Sequence, residues 1–200
     1  MIVVGLTGGI ATGKTTITNF LKKNKFAVHD SDAVVKTIYS KPPQAFIKHL
    51  KDIGLGTTIR GKKINKNTIR EVIFSNQKKK KELEKYIHKE VKKSRDKFLT
   101  RHRIKKTKIV ILDIPLLFEA KLSYICDYVI LLYLPRKLKI RRALARKGMK
   151  KDILLKIIEN QLNDSYKKKR ADFIINTSKT KKHSFKMILG EISNIIDQNA

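Results

Sequence analysis

The eight residues Gly8 to Thr15, GGIATGKT, match the pattern G-x-x-x-x-G-K-[ST], and the segments flanking them restrict the chain to a narrow set of folds. Before them runs Ile2-Val3-Val4-Gly5-Leu6, a short apolar stretch with β-branched residues that suits a buried parallel strand. After them Ile17, Phe20 and Leu21 recur at helical spacing. Strand, glycine-rich loop and helix in that order form the context in which this motif binds phosphate. Gly8, Gly9 and Gly13 allow a tight turn, so that backbone amides and the new helix's N-terminus converge on phosphate oxygens. Lys14 then reaches the β- and γ-phosphates, Thr15 offers its hydroxyl to Mg²⁺, and Thr16 lies next to the α-phosphate. The chain is expected to use a nucleoside triphosphate.

Further strand candidates are Phe26 to Val28, Ile109 to Leu112, Tyr128 to Leu134 and Phe173 to Ile175, with helical segments between them. Alternating β and α elements predict an α/β three-layer fold with a mostly parallel five-stranded sheet, a P-loop NTP hydrolase-like arrangement. The interval between the second and third strands is too long for a simple crossover and reads as helical almost throughout. Its long helix opens near Lys78. A core at about 1–32, 105–135 and 167–200 would therefore carry a helical insertion at about 33–104 and a basic helical lid at about 136–166.

Asp30-Ser31-Asp32 follows the second strand, at the edge where ligands of such sheets bind. If the backbone stays extended, Asp30 and Asp32 share a face, and one can accept a proton from an attacking hydroxyl. Helix capping explains one of the two without any catalytic role. Ile109 to Asp113 is an apolar strand ending in an acid, the form of a Mg²⁺-holding Walker B element. There is no D-x-x-G after it and no N-K-x-D elsewhere, which argues against a GTP switch. In the lid, Arg141, Arg142 and Arg146 supply charge for a triphosphate, with Arg142 and Arg146 four apart on one helical face.

The formal charge of +30 on 200 residues taken alone suggests a nucleic-acid partner. The lysines are spread over nearly every helix, however, and Lys, Ile and Asn are abundant together, as coding bias produces. The densest run, Lys78 to Lys81, reads as solvated surface. No apolar run approaches the roughly 20 residues a membrane span needs, and nothing at the N-terminus resembles a signal peptide. A single cysteine, Cys126, excludes an internal disulfide and suits a reducing cytoplasm, where it is expected to be buried. The five histidines show no metal spacing, and His88 falls among the apolar positions of the long helix.

With these elements in place, the chain from Val3 to about Thr177 resembles the dephospho-coenzyme A kinases. The resemblance is carried by GLTGGIATGKTT, HDSDAVV, IREVIFSN, the YIH ending at His88, DIPLLFEA, RRALARKG, Gln161 and ADFIIN. It implies transfer of a phosphoryl group from ATP to the ribose 3′-hydroxyl of dephospho-coenzyme A, with Asp32 as base and Arg142 as the lid arginine beside Lys14. It further implies ATP contacts at Gly8, Gly9, Ala11, Thr12, Gly13, Lys14, Thr15, Thr16, Arg142 and Arg146, and Mg²⁺ at Thr15 and Asp113. Acceptor contacts are implied at Thr7, Asp32, His88, Asp113 and Leu117. Such an enzyme works as a monomer or weak homo-oligomer and requires neither membrane nor nucleic acid. The chain departs from the family in three places: His88 precedes Lys89 where proline is usual, Lys66 stands where arginine is common, and Asn176-Thr177 replaces Asp-Asn after the final strand. A nucleoside monophosphate kinase, or a basic nucleic-acid-binding protein with a nucleotide site, are the alternatives.

Overall fold

The computed structural model describes residues 1–61 and 63–199. They form two compact units, one comprising residues 1–30 with 101–199 and the other Ser31–Thr100.

The first unit is built on a parallel sheet of β1 (Ile2–Gly8), β2 (Ala27–Asp30), β5 (Ile109–Asp113), β6 (Tyr128–Tyr133) and β7 (Phe173–Asn176). The spatial order is β2-β5-β1-β6-β7. All the pairings are parallel, with Leu6 opposite Asp113 and Asp30 opposite Asp113 on the other side. The register therefore gathers the carboxyl ends of β1, β2 and β5 at one edge, where β1 runs into the glycine-rich loop. Residues 3 to 9 and the whole of β5 are buried, as expected of strands covered on both faces.

Helix α1 (Lys14–Lys23) starts directly from the loop and buries Ile17, Thr18 and Leu21. Ile17 and Leu21, one turn apart, join Val4, Leu6, Ile111, Ile130, Leu132 and Ile175 in the main core. Each such side chain contributes about 1.5–3 kcal/mol by burial, which anchors the helix start under the loop. The same core takes Ile188, Ile192 and Ile195 from α9 (Lys181–Asp197), whose Thr180 side chain caps its N-terminus by accepting from the His183 amide. Phe185 stacks on Phe20 with ring centroids 4.0 Å apart.

Between β6 and β7 lie α6 (Arg136–Leu144), α7 (Lys151–Glu159) and α8 (Asp164–Lys168). The sequence indicated two helices here. The third is a five-residue turn capped by the Asn163 side chain, too short for periodicity to reveal. Ala143 and Leu154 pack on Ala11, with Ile10, Ile140, Met149 and Ile158 around them, so this segment rests on the loop itself.

The second unit contains α2 (Ser31–Ser40), α3 (Gln44–Asp52), a short antiparallel hairpin of β3 (Ile59–Arg60) and β4 (Lys63–Ile64), α4 (Lys66–Ser75) and most of α5 (Gln77–Ile104). It has its own core of Ile38, Phe46, Leu50, Leu55, Ile69, Leu83 and Ile87. The hairpin corrects the reading of this interval as helical almost throughout; its two-residue strands leave no alternation to detect. Helix α5 runs without a break through His88-Lys89, since Lys89 keeps the backbone N–H that proline would remove. His88 is exposed, contrary to its expected place among the apolar positions. The lysine run is also less uniform than expected: the Lys79 ammonium donates to the Gly54 carbonyl at 2.9 Å. No helix among the described residues is long and apolar enough to cross a membrane.

Candidate active site

The loop takes its shape from two left-handed residues, Ala11 at φ 61° and Gly13 at φ 86°. Gly13 is the last residue before α1, so the first amides of the helix point into the loop. Gly9 has another reason to be glycine. A Cβ there would meet Gln161 Oε1 at 3.0 Å and Lys139 Nζ at 3.4 Å. The Thr12 hydroxyl donates to the Gly9 carbonyl at 2.9 Å and closes the turn on itself.

Lys14 and Thr18 lie four apart on the inner face of α1 and hold both oxygens of Asp113. Lys14 Nζ is 2.7 Å from Oδ1, and the Thr18 hydroxyl donates to Oδ2 at 2.6 Å. Asp113 is buried at the end of β5, and burial raises its carboxyl above the usual 3.8; Lys14, by charge and hydrogen bond, pulls in the opposite direction. Thr15 and Thr16, the next two residues of α1, are exposed at its N-terminus. An exposed hydroxyl in the residue after Lys14 and a carboxylate held by Lys14 are of the oxygen-donor kind that Mg²⁺ takes, the ion completing its shell with phosphate and water. Thr7, the last side chain of β1 before the loop glycines, donates to the Pro115 carbonyl at 3.1 Å.

A cleft of about 300 Å³ opens beside the loop, lined by Ala11, Thr12, Gly13, Thr16, Arg142, Arg146 and residues of α9 including Phe185. Arg142 donates to the Thr177 carbonyl at 2.9 Å. The Thr177 hydroxyl reaches the carbonyls of Thr12 at 2.9 Å and Tyr133 at 3.1 Å. Thr177, one of the departures after the final strand, thus ties β7 to the loop. Arg141 is exposed away from these contacts.

Other expected residues fall elsewhere. Asp30 ends β2 and pairs with Lys22 at 2.7 Å. The backbone does not stay extended after it: Ser31 begins α2, so Asp30 and Asp32 do not share a strand face. Asp32 is exposed in the first turn of α2, in the second unit. Leu117 is wholly buried; a Cβ on Gly5 would meet its Cδ1 at 2.8 Å, so its side chain packs under β1. Cys126 is half-buried rather than buried. Lys66 opens α4 with its ammonium 5.0 Å from the Tyr39 ring centre.

Three contributors escaped the sequence reading. Thr18 sits one turn beyond the motif, a position the pattern does not specify. Lys139 is buried, with its ammonium 2.9 and 3.0 Å from the Asp164 oxygens. Glu119, the final acid of DIPLLFE, accepts from Lys167 Nζ at 2.6 Å and from the Leu162 amide at 3.1 Å, fixing the start of α8. Gln161, noted only as an isolated matching residue, accepts from the Ile10 amide at 3.2 Å.

Comparison with known proteins gives the chain's relatives. The family model for dephospho-CoA kinase matches residues 2–182. The dephospho-CoA kinase of Mesorhizobium japonicum is 34% identical over 198 residues, covering 99% of this chain and 96% of that protein. That of Bartonella quintana is 32% identical over 197 residues, covering 98% and 99%. Among solved structures, dephospho-CoA kinase from Campylobacter jejuni superposes with a TM-score of 0.70 at 25% identity, covering 99% of this chain and 98% of that one. A shikimate kinase from Aquifex aeolicus, at a TM-score of 0.50 and 15% identity, shares the fold alone.

Proposed function

The chain belongs to the dephospho-CoA kinase family, and from that membership we propose how its residues divide the work. The reaction is the ATP-dependent phosphorylation of dephospho-CoA, the last step of coenzyme A synthesis. The ribose 3′-oxygen attacks the γ-phosphorus, the bond from that phosphorus to the β–γ bridging oxygen breaks, and ADP leaves. The hydroxyl proton goes to Asp32. Support for this role comes from chain position: Asp32 lies two residues past the end of β2, whose last residue is in register with Asp113.

The observation that carries the reading is the clamp of Lys14 and Thr18 on Asp113 at the mouth of the phosphate loop. It holds a cation where the transferred group's charge develops, without rearrangement during reaction. The β- and γ-phosphates lie on the loop amides from Gly9 to Thr15, with Gly8 and Gly9 leaving room for backbone approach. Adenine and ribose enter the cleft beside Thr16 and Phe185. Arg142 exchanges the Thr177 carbonyl for phosphate oxygens, and Arg146, which lies two residues past the end of α6 and not on one helical face with Arg142 as the spacing predicted, lines the same cleft. Mg²⁺ would be held by the Thr15 hydroxyl and, through water, by Asp113; it supplies neutralisation of phosphate charge. The unit from about 33 to 104 takes the acceptor, with His88 as a polar contact, and 136–166 acts as a lid.

The test is a coupled assay with ATP, Mg²⁺ and dephospho-CoA, with the product identified by mass as CoA. Equal use of AMP, CMP or dTMP would transfer the chain to the nucleoside monophosphate kinases.

A further inference from the structure

Lys139 has almost no exposed surface, 6%, although it belongs to a helix in one of the most basic stretches of the chain. Two of its three N–H groups are used on Asp164, and the third has no acceptor among the described residues. The ammonium lies directly against the loop, 3.4 Å from the place where a Gly9 Cβ would stand. Burying a lysine is unfavourable unless a partner offsets the lost hydration, and Asp164 does so here.

Position along the loop gives this cation a direction. Lys139 and Arg142 stand three apart on one face of α6, and Arg146 follows two residues past the end of that helix. The two arginines line the cleft together with Ala11, Thr12, Gly13 and Thr16, whereas Gly9 and Ile10 do not line it. Base and ribose therefore belong at the Thr16 end, and the phosphate chain extends along the loop toward Gly9. The terminal phosphate arrives at the Gly9 end, beside Lys139. Gln161 lies at the same end, its carbonyl oxygen accepting the Ile10 amide.

We propose that Lys139 is an additional phosphate-contacting cation, held over Gly9 by Asp164 and directed at the γ-phosphate. The proposal rests on the reading of this loop as the ATP site. Lys139 then discriminates ATP from ADP, because only the triphosphate reaches its unused N–H. Asp164 acts as a positioning residue, keeping the ammonium aimed while the site is empty of phosphate.

Calorimetric binding of AMP-PNP and of ADP to the full chain tests this without any acceptor, so it is independent of which alcohol is phosphorylated. Lys139→Gln should weaken AMP-PNP binding about tenfold, the loss expected of one hydrogen bond to a charged group, while ADP binding changes less than about twofold. Lys139→Arg should restore most of the preference. Equal weakening of both nucleotides, or of neither, overturns the proposal and leaves Lys139–Asp164 as a structural tie between α6 and α8. Should Lys139→Gln fail to fold, Asp164→Asn decides the matter: its amide oxygen still accepts from Lys139 but no longer offsets the charge. The AMP-PNP to ADP preference should then rise, and a preference that is unchanged or lower overturns the proposal.

Discussion

The Thr18 hydroxyl and Asp113 Oδ2 are 2.6 Å apart, one helical turn from the 2.7 Å contact of Lys14 with Oδ1. A single face of α1 therefore satisfies both oxygens of a buried carboxylate. Thr18→Val keeps the side-chain volume but leaves one oxygen without its donor. It should cost about 1–3 kcal/mol in denaturant unfolding, with Thr18→Ser recovering most of it. A loss under about 0.5 kcal/mol would show that water substitutes for the hydroxyl.

The same clamp fixes a pH dependence. The folded carboxyl of Asp113 titrates above 3.8 because burial outweighs the opposing pull of Lys14. A raised carboxyl means that folding takes up a proton just above that value, so this group alone makes the protein less stable as pH rises through the window. On the proposed role of Asp113 toward Mg²⁺ the ionised form is the active one, and the acid limb of activity should then lie above that of an ordinary aspartate. Lys14→Met removes the cation that lowers the carboxyl, so the window should extend further upward. Carbon-detected NMR titration of the aspartate carboxyls checks both statements; a lower value for Asp113 in the variant would contradict them.

Legibility in the sequence followed the physical range of each signal. The sheet and loop were readable because their information is local: five apolar runs and one eight-residue pattern. Thr18, Lys139 and Thr177 were not, because their roles depend on partners 95, 25 and 165 residues away. The extended Asp30 to Asp32 failed for a local reason, since Ser31 starts a helix as soon as the strand ends. Lys79 shows the limit of reading a charge run by composition: its neighbours are alike in sequence, yet Gly54 in a left-handed turn, φ 71°, presents it a carbonyl.

That contact separates Lys79 from the rest of its run. Lys79→Gln should lower stability by about 0.5–1.5 kcal/mol, the net worth of one hydrogen bond, whereas Lys78→Gln and Lys81→Gln should stay within about 0.5 kcal/mol. Thermal unfolding of the three single variants provides the comparison. Equal small changes in all three would return Lys79 to the solvated surface.

Asp32 and Arg142 are expected to fail differently. Asp32→Asn removes a proton acceptor and nothing from the nucleotide, so turnover should fall on the order of 10²-fold with ATP affinity nearly intact. A fall under about threefold, less than 1 kcal/mol, would exclude it as the base. Arg142→Ala also removes the tie to Thr177, but its main loss should be in turnover, because its phosphate contact strengthens as charge moves. A change confined to the Michaelis constant for ATP would instead make Arg142 a ground-state binding residue.

The acceptor offers the broadest test. Residues 31–100 have their own core, from Ile38 through Phe46 and Leu50 to Leu83 and Ile87, and so amount to much more than a crossover between parallel strands. A body of that size is more than a mononucleotide requires, and it suits an acceptor with an adenosine end and a long pantetheine arm. If contacts along the arm are used to align the ribose 3′-hydroxyl with the γ-phosphate, removing the arm loses alignment as well as binding. Adenosine and AMP should then show a lower turnover at saturation, beyond a raised Michaelis constant. Turnover equal to that of dephospho-CoA at saturating AMP would mean that the arm contributes uniform binding only, and that orientation is set entirely at the phosphate loop.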